Sequence, residues 1–380
     1  MKDLFIDFFS SLKLTVLCLA LLMVLIFWGT LYQVEHGIWQ AQQVFFRSWF
    51  IRFGFLPIFP GGKLVMSVLF VNMLVSLLFR MEVSFRKAGL VLTHLGLMLL
   101  LAGGWVTYRF GQESFLSLVE GEGSNVSQSY RDWELSLWTD PSPPFRVIAY
   151  DTDGLRPGRS WRVPELALEL EVETYYPNSV PLGPVQAADN AQPPLNASGI
   201  HALQPARTRP QPEEHMPGLI VRARRGRDEH RVLLFGGEAA PTRIEDNVGT
   251  VFMALRRKRY PLPITVTLHQ FNREYYPGSD IPRSFSSLIE VDNRGLQRMA
   301  LIAMNQPFRF RDFTFYQASF ANLQDGSEMS TFAVTRNVGR ILPYVATAMT
   351  VIGLILHFLV ELVRRRPVPH AQPETAGASS

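Results

Sequence analysis

A membrane α-helical bundle of four transmembrane helices, carrying a large extracytoplasmic all-β domain of sandwich or barrel-like form, is the fold class this sequence predicts. Three observations lead to it. Four apolar runs approach or exceed the roughly 20 residues that a bilayer crossing requires. Basic residues gather at one set of ends of those runs. Between the third run and the fourth, the pattern changes to short stretches of alternating polar and apolar residues bounded by Gly, Pro, Asn and Asp.

The four runs cover about 11–31, 63–79, 87–108 and 341–363 of the 380 residues. The first has basic residues near its start, as a secretory signal would, but its apolar core is long. No small-residue cleavage site follows "FWGTLYQ", so it reads as a retained anchor. Lys2 and Lys13 flank the first run, Arg80, Arg86 and Lys87 fill the turn between the second and third, and Arg364 to Arg366 follow the fourth. Positive charge favours the cytoplasmic side. Both termini are therefore expected in the cytoplasm, with the loop 32–62 and the segment 109–340 on the outer face. Arg47, Arg52 and Lys63 dissent mildly. The loop 32–62 is rich in Trp and Phe, including Trp39, Phe45, Phe46, Trp49 and Phe50, and reads as interfacial.

Within 109–340, "SFLSLVE", "WELSLW", "LALELEVETYY", "ITVTLHQFNREYY", "SSLIEV" and "FRFRDFTFYQASF" alternate with period two. About ten such runs with no convincing helix pattern predict packed antiparallel sheets. "PELALELEVETYYPNS" and "PLPITVTLHQFNREYYPGS" echo one another, as two strands with similar ends or as the trace of a duplication. The Pro-, Ala-, Asn- and Gln-rich stretch 178–217 is expected to be a long disordered or loosely held loop. The domains are then 1–108, 109–340 and 341–380, the last ending in a basic tail.

The formal net charge of +4 owes much to the cytoplasmic flanks and to "VRARRGR" and "RRKRY", read as solvated loop charge. Nucleic acid is not an expected partner. Cys18 stands alone in the first run, which rules out a Cys-x-x-Cys redox pair.

His94 interrupts "KAGLVLTHLGLMLLLAGGW". An ionisable group inside a membrane helix is costly and usually pairs, binds or moves something. At about 100° per residue, Gly89, Gly96 and Gly103 form one stripe suited to close helix packing. His94 points to nearly the opposite side, with Leu90, Leu97, Met98, Leu101 and Trp105, a face that needs a cover: another subunit, a flat apolar ligand, or both. His357 shares the small-residue stripe of Ala346, Thr350 and Gly353 and is expected to pack inward. The two histidines lie at similar depth, so one iron between them is conceivable, although their stripes oppose it. A satisfied polar residue at a helix contact is the plain alternative for either.

Several stretches resemble the ResB-type membrane proteins of system II cytochrome c maturation. They are "SLKLTVLCLALLMVLIFWGTLYQ", "LVLTHLGLMLLLAGG", "LVEGEGS", "REYYPGSDIPRSFSSLIEV", "MNQPFRFRDFTFYQASF" and "GRILPYVATAMTVIGLILHFL". The resemblance thins between about 141 and 259. It implies a haem-handling subunit that acts with a CcsA-type membrane protein bearing a tryptophan-rich segment, to move haem outward and present it to apocytochrome c. It implies non-covalent haem b, transient or shared with the partner, with His94 as an axial ligand. His357 is a second candidate on depth alone. A thiol–disulfide reductase is a further candidate partner. The chain would be at most a non-catalytic or co-catalytic subunit of a haem lyase. Two other readings stand beside this: a b-type electron-transfer subunit with haem between His94 and His357, and a membrane-anchored periplasmic scaffold.

Overall fold

The computed structural model describes residues 2–81, 84–139, 146–184 and 194–364. Two compact units emerge: a helical unit that ends at Gly111 and resumes at Asn337, and a β unit, Gln112–Arg336, inserted between.

The helical unit contains α1 (Lys2–Phe9), α2 (Leu12–Ala41), α3 (Gly62–Val75), α4 (Ala88–Phe110) and α5 (Leu342–Arg364). With the turns that extend them, α2 to α5 are long and apolar enough to cross a membrane. The chain breaks at Ser10, and Ser11 caps α2 by accepting a bond from the Lys13 N–H. The break frees carbonyls that α3 then satisfies. Asn72, 1% exposed, donates to Phe9 O at 2.6 Å and to Ser11 O at 3.1 Å, and accepts from the Thr15 hydroxyl at 2.6 Å. Arg80 donates to Ser10 O at 3.1 Å. Cys18, Leu25, Phe45, Ile51, Val65 and Leu69 pack α2, α3 and their connection into one cluster.

The connection is more ordered than an interfacial loop suggests. Helix α2 runs on to Ala41 through a left-handed Gly37 (φ 77°), and a hairpin follows, β1 (Phe50–Phe53) on β2 (Leu56–Pro60). Two of the dissenting cations have local partners. Lys63 lies 5.0 Å from the Trp49 ring, and Arg47 lies 5.3 Å from the Tyr108 ring.

The β unit runs β3 (Gln112–Val119), β4 (Gly123–Trp138), β5 (Ile148–Asp151), β6 (Ser160–Val163), β7 (Leu168–Tyr176), β8 (Ser179–Leu182), β9 (Ala202–Pro205), β10 (Gly218–Arg225) and β11 (Asp228–Phe235). It continues through β12 (Thr242–Asp246), β13 (Gly249–Tyr275), β14 (Pro282–Asn293), β15 (Leu296–Ala303), β16 (Phe308–Phe310), β17 (Phe313–Asn322) and β18 (Glu328–Arg336). One sheet has the order β11-β10-β7-β6. A larger one runs β15-β14-β13-β4-β3-β18-β17-β16, with β12 on β13 and β5 on β4.

Two hydrophobic cores result. The first lies between the small sheet and the early part of β13: Leu168, Leu170, Val172, Leu219 and Val221 meet Leu135, Leu137, Val251, Met253 and Leu255. The second is wrapped by β3, late β13 and β14 to β18 around Val266, Leu268, Ile289, Phe315 and Phe332. The β unit is thus all-β, as expected, with one core between two sheets and another enclosed by the large sheet alone. The register of β13 against β4 jumps between Pro261 and Val266, where Pro261 and Pro263 supply no N–H to the ladder. That interruption lets one strand serve two cores. The echoed segments fall in different cores, one as β7 and the other as the later part of β13.

The "Tyr-Gln-Ala-Ser" stretch owes its place to a buried triangle. The Ser287 hydroxyl donates to Gln317 Oε1 at 2.8 Å, Gln317 Nε2 donates to Ser330 at 2.8 Å, and the two serines lie 2.9 Å apart.

Two expectations need correction. The stretch 178–217 was expected to be a disordered or loosely held loop, yet β8 and β9 pair within it; residues 185–193 lie outside the described residues. Asparagines organise it. Asn178 donates to Arg207 O at 2.7 Å and accepts from Met216 N at 3.0 Å, and Asn196 bridges to both ends of Ile200. The side-chain amide replaces backbone pairing, which composition alone does not reveal. The basic clusters are not loops either, since "VRARRGR" begins within β10 and "RRKRY" lies in β13. Across the small sheet, Arg224 meets Glu229 at 2.9 Å and Glu171 at 3.5 Å, and Arg231 meets Glu173 at 2.7 Å.

The hydrogen bond from Arg231 is the main cause that holds the Glu173 carboxyl below the usual glutamate range, against an opposing effect of burial. Folding therefore favours the carboxylate, and its stabilisation is whole above the ordinary glutamate pKa, about 4.3. It fades as the pH falls through the lowered value. Glu173→Gln is expected to lower the thermal midpoint at pH 7, by a stability loss under about 1 kcal/mol, and the gap to wild type is expected to close in acid. A gap that stays constant down to pH 3 would mean that charge is not its source.

Candidate functional site

Helices α4 and α5 meet along glycines at backbone-contact range. A Cβ on Gly89 would stand 2.6 Å from Gly353 O, and one on Gly96 would stand 2.8 Å from both Ala346 O and Thr350 N. At Gly103 the nearest atom is Leu342 Cβ at 2.9 Å, and Gly353 in turn faces Thr93. The seven-residue glycine stripe thus packs as its spacing predicts.

With Gly89, Thr93, Gly96 and Gly103 buried against α5, the rotation of α4 is settled. His94 lies about 140° round the helix from Gly89. It is half-buried, on a face where Leu97 is 39% and Trp105 60% exposed. The His94 Nδ1 is 2.8 Å from the Leu90 carbonyl oxygen. A carbonyl can only accept, so Nδ1 carries the proton and Nε2 of the neutral ring keeps its lone pair. Among the described residues nothing hydrogen-bonds to that Nε2. An imidazole oriented through one nitrogen by a backbone carbonyl, with the other nitrogen free, is the usual form of a metal-ligating histidine.

His357 is placed differently. Its backbone N and Cα lie against Gly89 in the α4–α5 seam, and its ring touches only Phe358 among the aromatic contacts, at 5.7 Å between centroids. Among the described residues, no hydrogen bond or ring contact joins the two histidines. His36 repeats the His94 wiring, with Nδ1 3.3 Å from Tyr32 O, but its ring is stacked on Tyr32 at 3.9 Å. In the β unit, His269 pairs with Glu290 at 3.1 Å and His215 accepts from Arg209 N at 2.9 Å.

Asn72 is the polar residue that sequence reasoning passed over. The signal was the same as for His94, one polar side chain in an apolar run, but here every polar atom is satisfied within the unit.

Trp133 and Trp138 form no open aromatic platform. Trp133, 6% exposed, lies under Arg257 at 4.2 Å, and Trp138 stacks on Phe252 at 5.8 Å with Arg256 at 5.8 Å from its ring. Nearby, burial first and the Asp132 charge second push the Tyr260 phenol up to about 12.

Comparison with known proteins bears on the β unit. Residues 229–329 match the ResB-like family. The stretch begins in β11, ends in β18, and includes the Tyr-Tyr-Pro-Gly turn and two members of the triangle, Ser287 and Gln317. A relative from Picosynechococcus sp., described as "Cytochrome c biogenesis protein CcsB", is 34% identical over 93 residues. That alignment covers 23% of this chain and 20% of the relative's length. The family match leaves His94 and the helices outside its range.

Proposed function

We propose that this ResB-like chain acts in cytochrome c biogenesis as a haem-handling subunit of a system II cytochrome c synthase complex. It would help to move haem across the inner membrane and present it for attachment to apocytochrome c. The observation that carries the reading is His94: Nδ1–H tied to Leu90 O, Nε2 free, on the face of α4 turned from α5. Haem b held there would supply an iron that accepts the imidazole lone pair, and its flat apolar body would cover a face otherwise turned to lipid. His94 binds, and the Leu90 carbonyl keeps the tautomer and the ring angle. Leu97, Met98, Leu101 and Trp105 supply apolar contact.

A CcsA-type membrane protein is the partner we assign to the open face, where it would supply the second axial ligand. The β unit would lie in the periplasm and serve as a docking surface for apocytochrome c. Because Trp133 and Trp138 are buried beneath arginines, we place the attachment chemistry on the partner. A b-type clamp between His94 and His357 has less in its favour, since His357 backs onto Gly89 at the helix seam.

The test is a visible spectrum of the full chain purified with its membrane partner. His94→Ala is expected to abolish most of the haem absorbance, added imidazole is expected to restore it, and His357→Ala is expected to leave it unchanged. A haem signal indifferent to His94→Ala would remove the ligand assignment.

A further inference from the structure

The haem reading leaves one group unaccounted for. Haem carries two propionate carboxylates on one edge, and a carboxylate inside a bilayer needs a cation. Between Ala88 and Tyr108 the α4 sequence has no charged side chain. Lys87 precedes α4 at the end of a 3₁₀ turn, Phe85–Lys87, and is exposed. At about 100° per residue it lies within about 20° of His94 round the helix, and roughly 10 Å from it along the axis. Arg86 is also exposed, but is turned about 80° from His94 toward the α5 side. Arg80 ends the turn that extends α3 and reaches toward the α1–α2 break at Ser10 O. Toward the other end, the first cation is Arg109, about 15 residues and roughly 22 Å away.

Resting on the haem reading, we propose that Lys87 binds the propionate edge of the porphyrin ligated by His94. The acid groups then point to the N-terminal end of α4. This fixes one of the two ways round that a bound haem could lie. It also makes the site selective for porphyrins with free carboxylates, because Leu90, Leu97 and Leu101 around the ring offer no polar contact. Lys87 would exchange its present contacts for the propionate.

The test titrates the full chain in nanodiscs, with no imidazole added so that nothing can stand in for His94, against iron protoporphyrin IX and its dimethyl ester, followed by Soret absorbance. Wild type is expected to bind the free acid at least about tenfold more tightly than the ester, the scale of one charge-assisted contact. Lys87→Gln is expected to erase that preference while its ester affinity stays at the wild-type level, and Lys87→Arg is expected to keep it. Arg86→Gln is the control and should retain the preference. If Lys87→Gln retains the preference, or Arg86→Gln loses it, the assignment to Lys87 is overturned while the His94 reading stands. If His94→Ala leaves both titrations unchanged, or wild type binds neither porphyrin, the haem reading falls and takes this proposal with it.

Discussion

Arg225→Ala is expected to cost about 3–5 kcal/mol of β-unit stability, the usual penalty for stranding one partner of a buried ion pair. The side chains of Arg225 and Asp246 are 7% and 1% exposed, and their closest approach is 3.1 Å. The guanidinium also donates to Leu166 O at 3.0 Å and to Gly249 O at 2.8 Å. Asp246 Oδ1 in turn accepts from the N–H groups of Val248 and Gly249 at the β12–β13 turn. This one cluster ties β10 of the small sheet to the hairpin of the large sheet, at the edge of the first core. Truncating the arginine leaves a carboxylate without its cation and two carbonyls without their donor. The measurement is chemical unfolding of the full chain followed by near-UV circular dichroism of the β unit. The double substitution Arg225→Met with Asp246→Leu is expected to lose less than Arg225→Ala, since no buried charge is left unpaired. Equal losses in the two variants would show that packing volume, not charge, governs the site.

Gly96→Leu is expected to disrupt the α4–α5 seam. Even an alanine there costs about 1–3 kcal/mol, because beyond the Thr350 hydroxyl two backbone atoms, Ala346 O and Thr350 N, stand at 2.8 Å and cannot swing aside. Leucine has no room at all, so α4 must rotate or separate, and His94 turns with it. Haem absorbance should therefore fall together with resistance of the helical unit to denaturing detergent. Gly104 offers an internal control, since a Cβ at that position meets nothing within 4 Å and Gly104→Leu is expected to be neutral. If the two leucine variants behave alike, the close approach at Gly96 is not what holds the helices.

The helical unit was the more legible part of this chain. Four long apolar runs mark the crossing helices, although α2 runs on past its apolar run to Ala41, and a glycine every seventh residue on α4 states which side packs. The rotation of His94 follows from those two facts, because a helix has a single degree of freedom about its axis. Even so, α1 and the Asn72 network were not foreseen, because the need for Asn72 arises from carbonyls freed 61 and 63 residues away at the α1–α2 break. The basic clusters show the converse: "VRARRGR" read as loop charge because its acidic partners Glu171, Glu173 and Glu229 are set opposite it only by strand pairing.

By itself, the sequence determined the class of the fold, the spans, the alternating β segment and the one imidazole facing away from the α4–α5 seam, since each depends on periodicity within a single element. Tertiary structure alone decided that β13 serves two cores, that the 178–217 stretch is pinned at its asparagines, and that Asn72 answers the α1–α2 break. Such features depend on register, burial and side-chain rotamer, which arise only when distant segments compete for the same space.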